Sequence, residues 1–196
     1  MNTLREKGVV SNLLLFFVLI IASWGVLWSL FEWGIGDLRY FTNQSNLLVA
    51  VTVFLVFVTK DDQKWFPYLA AIALVNIVMT GMIYHVMLAT PPISFQSHLT
   101  HTLTPILYTL FYFIVISKPL KPKQFWILII YPFIYFLFFL ITGPFTGFYP
   151  YGFMNVAENG LLNVFKFTIL YMLPAIALMS WILLYLKKFV ESKIKG

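Results

Sequence analysis

The sequence predicts an all-α membrane protein in which residues 1–196 form one domain, a bundle of six transmembrane helices. Composition is the first reason, because 61% of the residues are apolar and only 10% are charged, whereas charged residues make up about 25% of a typical soluble domain. The second reason is that the apolar residues fall into stretches of about 20, the length that a helix needs to cross a bilayer. The chain has no cysteine, which excludes disulfides, thiolate metal sites and a thiol nucleophile.

The six predicted spans are bounded by polar residues, turn residues or interfacial aromatic residues. They cover about residues 9–31, 43–59, 65–88, 97–116, 125–141 and 160–190. The first span could alternatively be a cleaved signal peptide, but no small-x-small cleavage site follows it. Trp28, Phe31 and Trp33 instead form an aromatic cluster at its end, which is typical of a membrane interface, so we expect a retained span.

The second and third spans carry polar residues within apolar sequence. The apolar stretch 47–58 is too short to cross a bilayer alone, so the second span must include part of the polar run 42–46. The third span contains Asn76 and Thr80 and has His85 near its end. Both spans therefore bring hydrogen-bonding groups into the membrane region.

Loops rich in proline, lysine or aromatic residues separate the later spans. Pro91-Pro92 precedes the fourth span, and the segment 117–123, with two prolines and three lysines, follows it as a turn at a membrane surface. The fifth span is strongly aromatic and leads into an aromatic loop, 142–159, which we expect to cap the interface. The sixth span is interrupted by Asn163, Lys166 and Pro174.

Lysine and arginine predict the orientation, because cytoplasmic loops carry an excess of these residues. One face of the predicted bundle holds 11 of the 13 basic residues: Arg5, Lys7, Lys60, Lys64, Lys118, Lys121, Lys123, Lys187, Lys188, Lys193 and Lys195. Both termini should therefore be cytoplasmic, in a multi-pass protein of the cell membrane. Because this topology accounts for the net charge of +6, we do not expect the chain to bind nucleic acid.

Polar residues gather in the half of the bundle that this orientation places on the extracytoplasmic side. His98 and His101 open the fourth span three residues apart, so they share a helix face, and Thr42 and His85 lie at a similar predicted depth. Polar groups at membrane depth are costly and usually face a functional cavity, so we predict one outward-opening pocket. A histidine there could be a general base, a ligand or a structural hydrogen-bonding residue, and Thr42 could alternatively be an N-cap.

Three short motifs carry a resemblance to a known family. They are Arg39-Tyr40-Phe41-Thr42 before the second span, His98, His101, Thr102 and Pro105 in the fourth, and Ile141-Thr142-Gly143 with Phe148-Tyr149-Pro150-Tyr151 before the last. Over about residues 10–186, this order is similar to that of the androgen-induced-gene family of integral membrane threonine hydrolases. The likeness is greatest to the bacterial six-span relatives of that family, most of which have no assigned function.

The resemblance implies an enzyme that hydrolyses fatty acid esters of hydroxy fatty acids within the bilayer. Thr42 matches the family's nucleophilic threonine, His101 its catalytic histidine and His98 a neighbouring histidine. A threonine hydroxyl needs a base within hydrogen-bond reach, which a histidine on a facing helix would supply. The expected substrate is a membrane lipid, no cofactor is expected, and protein partners are left open.

Further residues are expected to support this chemistry. The amides of Asn43, Gln44 or Asn46 would donate to the oxyanion, where charge develops in acyl transfer.

Lys166 would hold a lipid carboxylate or pair with Glu158. His85 and Tyr149 would line the pocket, and Asp37 or Glu158 would complete a triad.

Two alternatives use the same residues differently. His85, His98 and His101 could be three zinc ligands that leave one position open for water, as in hydrolytic zinc sites. The chain could also be a non-enzymatic lipid-binding protein or a small transporter, in which a route or a packing seam is marked by Asn76, Thr80, Asn163 and Pro174.

Overall fold

The computed structural model describes residues 8–58 and 63–195, and within these residues it is all-helical, without strands. Six long helices form the bundle: α1 (Val9–Trp33), α2 (Phe41–Val58), α3 (Phe66–Leu88), α4 (95–115), α5 (Ile127–Thr146) and α6 (161–195). Short helical turns lie between them at Ile35–Arg39, Pro122–Gln124, Gly152–Met154 and Val156–Asn159.

Four helical segments are long and apolar enough to cross a membrane: Val9–Trp33, Phe66–Leu88, Pro122–Thr146 and Leu161–Lys193. The helix α2 is apolar but shorter, and α4 consists of three consecutive pieces. An all-helical fold with helices long and apolar enough to span a membrane is thus confirmed, whereas six crossings and cytoplasmic termini stay predictions. Arg5, Lys7 and Lys60, on which the orientation partly depends, lie outside the described residues.

The ends of α2 and α5 decide where the polar run and the aromatic loop lie. The helix α2 begins at Phe41, so the whole polar run 42–46 lies in its first turns. The helix α5 continues to Thr146, past the predicted end at residue 141, and stops where Gly147 has a φ of 68°. Glycine reaches this left-handed conformation without steric cost, which is why it commonly follows a helix. The aromatic loop is therefore shorter than predicted.

Two glycines let α4 approach its neighbours closely. The helices α1 to α4 pack together, and α5 and α6 pack beside α3. A Cβ on Gly81 would lie 2.9 Å from the carbonyl oxygen of His101, and a Cβ on Gly25 would lie 2.7 Å from Cγ2 of Thr100. Small residues at such crossings allow backbones to come near each other in membrane proteins, and these two contacts position the segment that carries His101.

Three of the helices in the described part of the chain contain a wide π-helical turn, and none of these turns was predicted from the sequence. They lie at Tyr84–Leu88 in α3, Leu99–Leu103 in α4 and Thr168–Met172 in α6. Pro105 and Pro174 follow the last two turns within two residues. Because proline has no N–H, it leaves the carbonyl four residues earlier without its regular helical partner. Single π turns are frequent at functional sites. Residues of all three turns line two cavities in the bundle, which are described below.

Lys187, which the predicted orientation counts among the basic residues of the cytoplasmic face, is completely buried in the structure. Its Nζ lies 2.6 Å from Oε1 of Glu191 and donates a hydrogen bond of 2.8 Å to the carbonyl oxygen of Phe113. A buried charge is tolerated where it is paired and hydrogen-bonded, and these contacts tie the end of α6 to α4.

Candidate active site

Thr42 and His101 come together between α2 and α4. Thr42 lies in the first turn of α2 and His101 in the π turn of α4, and Thr42 Oγ1 is 3.2 Å from His101 Nε2. Both side chains are half-buried. At this distance the ring nitrogen can accept the hydroxyl proton, which is the geometry that a nucleophile and its general base require.

The other ring nitrogen determines which proton His101 carries. Nδ1 lies 3.1 Å from the carbonyl oxygen of Ser97 and 2.9 Å from Oγ1 of Thr100, and that hydroxyl donates to the carbonyl oxygen of Gln96. A carbonyl oxygen only accepts, so Nδ1 carries the proton in the neutral ring and Nε2 keeps a lone pair facing Thr42. A backbone carbonyl therefore orients the histidine, in the place where Asp37 or Glu158 was expected.

Two further contacts hold the pair in position. The ring of Tyr84 stacks on that of His101 with 3.8 Å between centroids and 22° between planes. The fully buried Asn46 donates from Nδ2 to the carbonyl oxygens of Thr42, at 2.9 Å, and Thr100, at 3.2 Å. One amide thus joins the backbone of the candidate nucleophile to the residue that precedes His101.

Asn43 belongs to a polar network at the start of α2. Its Nδ2 lies 2.7 Å from Oδ2 of Asp37 and 2.9 Å from Oγ of Ser29, and Ser29 also donates to Asp37. Asp37 is therefore engaged with α1 and α2 and does not contact His101. Because this network joins the turn Ile35–Arg39 to both helices, it fixes where α2 begins.

The amides that were predicted to bind the oxyanion have other partners. Gln44 donates from Nε2 to the carbonyl oxygen of Leu38 at 2.8 Å, and its Oε1 accepts from Tyr131 at 2.7 Å. Since the N–H groups of Asn43 and Asn46 are likewise engaged, the amides of the polar run position α2. The oxyanion role predicted for them does not fit this geometry.

Tyr151 contacts Thr42 but was not predicted as a site residue from the sequence, although it lies in one of the quoted motifs. It reaches Thr42 from the loop after α5, and its hydroxyl oxygen accepts the Thr42 N–H at 3.4 Å. Burial raises the pKa of the Tyr151 hydroxyl above its ordinary value, against an opposing effect of hydrogen bonds with Thr42. The group therefore stays protonated at neutral pH and is an O–H donor beside Thr42.

Tyr149, which was predicted to line the pocket, packs on α5 instead. Its ring covers Gly143, where a Cβ would lie 2.2 Å from Cε1 of the tyrosine, so only glycine leaves room for this contact. Within the described structure, Tyr149 lines neither of the two cavities that meet at Thr42. Its packing holds the loop from which Tyr151 extends.

Two cavities of different character meet at Thr42, His101 and Tyr151, which line both. The inner cavity, of about 50 Å³, lies between α2, α3, α5 and α6 and is mostly apolar. The polar groove, of about 800 Å³, lies between α1, α4 and the turn after α1. Besides Thr42, Thr100 and His101, its lining includes aromatic and aliphatic side chains and the polar residues Ser29, Glu32, Asp37, Asn43, Ser94, Gln96 and Ser97. A molecule bound across both would place an apolar part in the cavity and a polar part in the groove.

The three histidines do not converge on one point. His85 Nε2 lies 2.9 Å from Oγ1 of Thr102, on the face between α3 and α4, and His98 is exposed at the end of the helix Phe95–His98. Among the described residues, no three His, Cys, Asp or Glu side chains lie close enough to hold a metal ion. In this structure, His85, His98 and His101 are therefore not placed to bind one zinc ion together.

Lys166 does not join the candidate site. Lys166 is exposed on α6 and lines neither the inner cavity nor the polar groove. In the part of the chain that the structure describes, no ion pair joins it to Glu158, which is also exposed. The side chain therefore lies away from Thr42 and His101.

No family model, no curated protein and no solved structure matches this chain. The resemblance to the androgen-induced-gene family accordingly stays a prediction from three sequence motifs. A function for the chain has to be inferred from Thr42, His101 and Tyr151, which meet where the inner cavity joins the polar groove.

Proposed function

We propose that this protein is an integral membrane hydrolase of lipid esters that uses Thr42 as nucleophile and His101 as general base. The observation that carries the proposal is the 3.2 Å separation of Thr42 Oγ1 and His101 Nε2, with the Nδ1 proton of the ring directed at Ser97. These two side chains, 59 residues apart in sequence, are also the pair that the family resemblance selects.

The proposal includes a placement in the cell membrane. Six helices cross the bilayer, both termini are cytoplasmic, and the polar groove opens on the extracytoplasmic side. Four long apolar helices support the membrane location, and the lysine and arginine distribution supports the orientation. Water and polar products then exchange through the groove, while the inner cavity lies within the bundle.

The first half-reaction transfers the acyl group to Thr42. Oγ1 attacks the ester carbonyl carbon while its proton passes to Nε2 of His101. Negative charge develops on the carbonyl oxygen, and we assign the neighbouring O–H of Tyr151 as its hydrogen-bond donor. When the tetrahedral intermediate collapses, the bond to the alcohol oxygen breaks, the alcohol leaves with the proton from His101, and an acyl-threonine remains.

The second half-reaction releases the fatty acid. A water molecule from the polar groove gives a proton to His101 and attacks the acyl-threonine carbonyl. Collapse of this second intermediate returns the proton to Thr42 Oγ1 as the fatty acid leaves. The balance is one ester and one water consumed, and one acid and one alcohol formed, with both side chains restored.

The lining of the two cavities favours an amphiphilic ester as substrate. The apolar inner cavity and the polar groove meet at the reacting hydroxyl, so the ester bond of a bound lipid lies at the junction of its apolar and polar parts. Fatty acid esters of hydroxy fatty acids, which the resemblance implies, are amphiphilic in a related way: the ester joins two alkyl chains, and the free carboxylate of the hydroxy acid is the polar group that would lie in the groove.

The direct test is hydrolysis of a panel of lipid esters by the purified protein in detergent, combined with labelling by a fluorophosphonate. We expect turnover of at least one fatty acid ester and a single phosphonylated residue, Thr42, identified by mass spectrometry. Heat-denatured protein is the control, because labelling of an activated hydroxyl needs the folded site. An inert protein across the whole panel, or labelling of a different residue, would refute the mechanism.

Removing the Tyr151 hydroxyl should slow the chemical step. For Tyr151→Phe we expect kcat to fall about 10²-fold with little change in KM, because an oxyanion donor acts mainly in the transition state. Tyr149→Phe is the matched control, since that hydroxyl lies two residues away and lines neither cavity. Equal activity of the two variants would show that Tyr151 has no catalytic role.

A further inference from the structure

We propose that the acyl chain of the substrate enters from the lipid phase between α3 and α6 and extends past Ile176 into the inner cavity. This inference rests on the proposed function and adds the route and the orientation of the substrate. The fatty acyl part lies in the apolar passage, and the alcohol part lies in the polar groove.

The inner cavity is too small to hold a whole acyl chain, so a bound chain needs a passage out of it. A volume of about 50 Å³ has room for only a few water-sized groups, whereas a long acyl chain is many times larger. If the ester carbonyl lies at Thr42, the rest of the chain must therefore leave the cavity at its far side. The cleft between α3 and α6, of about 210 Å³, lies directly beside it.

The lining of the inner cavity is mostly apolar, which suits a bound acyl chain. The hydroxyls of Thr80 and Thr168 point back to their own helices, where they donate to the carbonyl oxygens of Asn76 and Val164 at 2.9 and 3.0 Å. Since these hydroxyls are satisfied, the two threonines offer their methyl groups to the cavity. The polar groups beside the ester are then those of Thr42, His101 and Tyr151.

The cleft continues the cavity to the surface of the bundle. Met79, Ile83, Met172 and Ile176 line both spaces, so they form the partition between them. Met79 and Ile176 are 6% and 5% exposed, whereas Met82 and Tyr171 on the outer side of the cleft are 54% and 66% exposed. The partition is thus one layer of side chains between the reacting centre and the face of the bundle that lipid would contact.

Methionine makes this partition movable. Five of the seven methionines in the chain line the cleft: Met79, Met82, Met87, Met172 and Met179. An unbranched thioether side chain changes rotamer readily and adapts its shape to a ligand. The π turns that contain Met87 and Met172 flank the same cleft. An acyl chain can therefore displace side chains here without movement of the helices.

A larger side chain in the partition should slow hydrolysis of long-chain esters but not of short-chain esters. In Ile176→Trp, we expect kcat/KM for a palmitoyl ester to fall at least about ten-fold, and that for an acetyl ester of the same alcohol to change less than about two-fold. The short ester reaches Thr42 through the polar groove and does not need the passage. The matched control is Ile182→Trp, on the exposed side of α6, for which neither value should change. Equal losses for both esters, or no loss for either, in Ile176→Trp would overturn the route.

A binding measurement distinguishes failure of the route from failure of the proposed function. A palmitoyl ester with a diazirine in mid-chain is photolysed on the Thr42→Ala protein, and the labelled residues are mapped by mass spectrometry. We expect label on Met79, Met172 or Ile176 that excess unlabelled ester removes. Label confined to exposed residues, insensitive to competitor, would overturn the acyl passage. A wild type inert on both esters would instead refute the hydrolase, and the label pattern would still decide whether the cleft binds acyl chains.

Discussion

Replacement of Thr42 by alanine should reduce ester hydrolysis by about 10³-fold or more. The expected effect is large because the variant lacks the only atom that forms the acyl-enzyme, and enzymes with covalent mechanisms lose most of their rate enhancement when the nucleophile is removed. The measurement is the steady-state rate on the best ester of the panel, together with phosphonylation at residue 42. Both should vanish in Thr42→Ala, while substrate binding persists.

Two variants keep this result interpretable. Thr42→Ser retains a hydroxyl and should keep measurable activity and labelling. Thr52→Ala removes a hydroxyl further along α2, where it donates to the carbonyl oxygen of Leu48, and should leave the rate unchanged. All variants are compared by thermal unfolding in detergent. Full activity of a folded Thr42→Ala protein would eliminate Thr42 as the nucleophile.

Replacement of His101 by alanine should have the second largest effect, a fall in kcat of about 10²- to 10⁴-fold, as for removal of a general base. The hydroxyl of Thr42 remains in this variant but loses the acceptor at 3.2 Å. Phosphonylation of Thr42 should therefore slow in proportion to hydrolysis. If the ring had only a structural role, the two rates would not need to fall together. Added imidazole should restore part of the rate, because the cavity left beside Tyr84 can hold it.

His98→Ala is the matched control for this histidine. His98 lies three residues away but is exposed and lines neither cavity, so its removal should leave the rate unchanged. His85→Ala tests the remaining histidine, which pairs with Thr102 at 2.9 Å. If His101→Ala kept its activity while His98→Ala or His85→Ala lost it, the base would be a different histidine from the one proposed.

The way His101 is oriented suits the proposed location of the site within a membrane. A carboxylate that held Nδ1 would bring a full negative charge into a region where desolvation of charge is expensive. The carbonyl oxygen of Ser97 accepts the same proton at 3.1 Å without adding charge. Nδ1 thus stays protonated, and the basic nitrogen stays directed at Thr42. Asp37 lies at the groove, where its carboxylate accepts hydrogen bonds from Asn43 and Ser29.

Much of the fold could be predicted because it depends on local sequence. The stretches of apolar residues predicted long helices near their observed positions, and the helices that begin at Val9 and Phe66 confirm this. The π turns could not be predicted, because a turn of that kind differs from an α turn only in which carbonyl each N–H selects. Pro105 and Pro174 free the carbonyls of His101 and Leu170, but proline alone does not determine the kind of turn, because Tyr84–Leu88 forms a π turn with no proline within two residues after it.

The site could be predicted only in part. Thr42 and His101 were selected by polarity in an apolar context and by the family resemblance, and the structure brings them within 3.2 Å. Tyr149 and Tyr151 could not be distinguished by sequence, since both are aromatic residues of one loop. The bend of the chain between them sends one ring onto Gly143 and the other to Thr42.

The sequence by itself determined that this is a helical protein with helices long and apolar enough to span a membrane, because hydrophobicity and length act along one segment at a time. It also marked the polar run 42–46 and the histidines as exceptional. Tertiary structure alone decided what each polar group does. Hydrogen bonds act over about 3 Å, so the role of an amide such as Asn46, which bridges Thr42 and Thr100, depends on which distant residue the packing of the helices places within that distance.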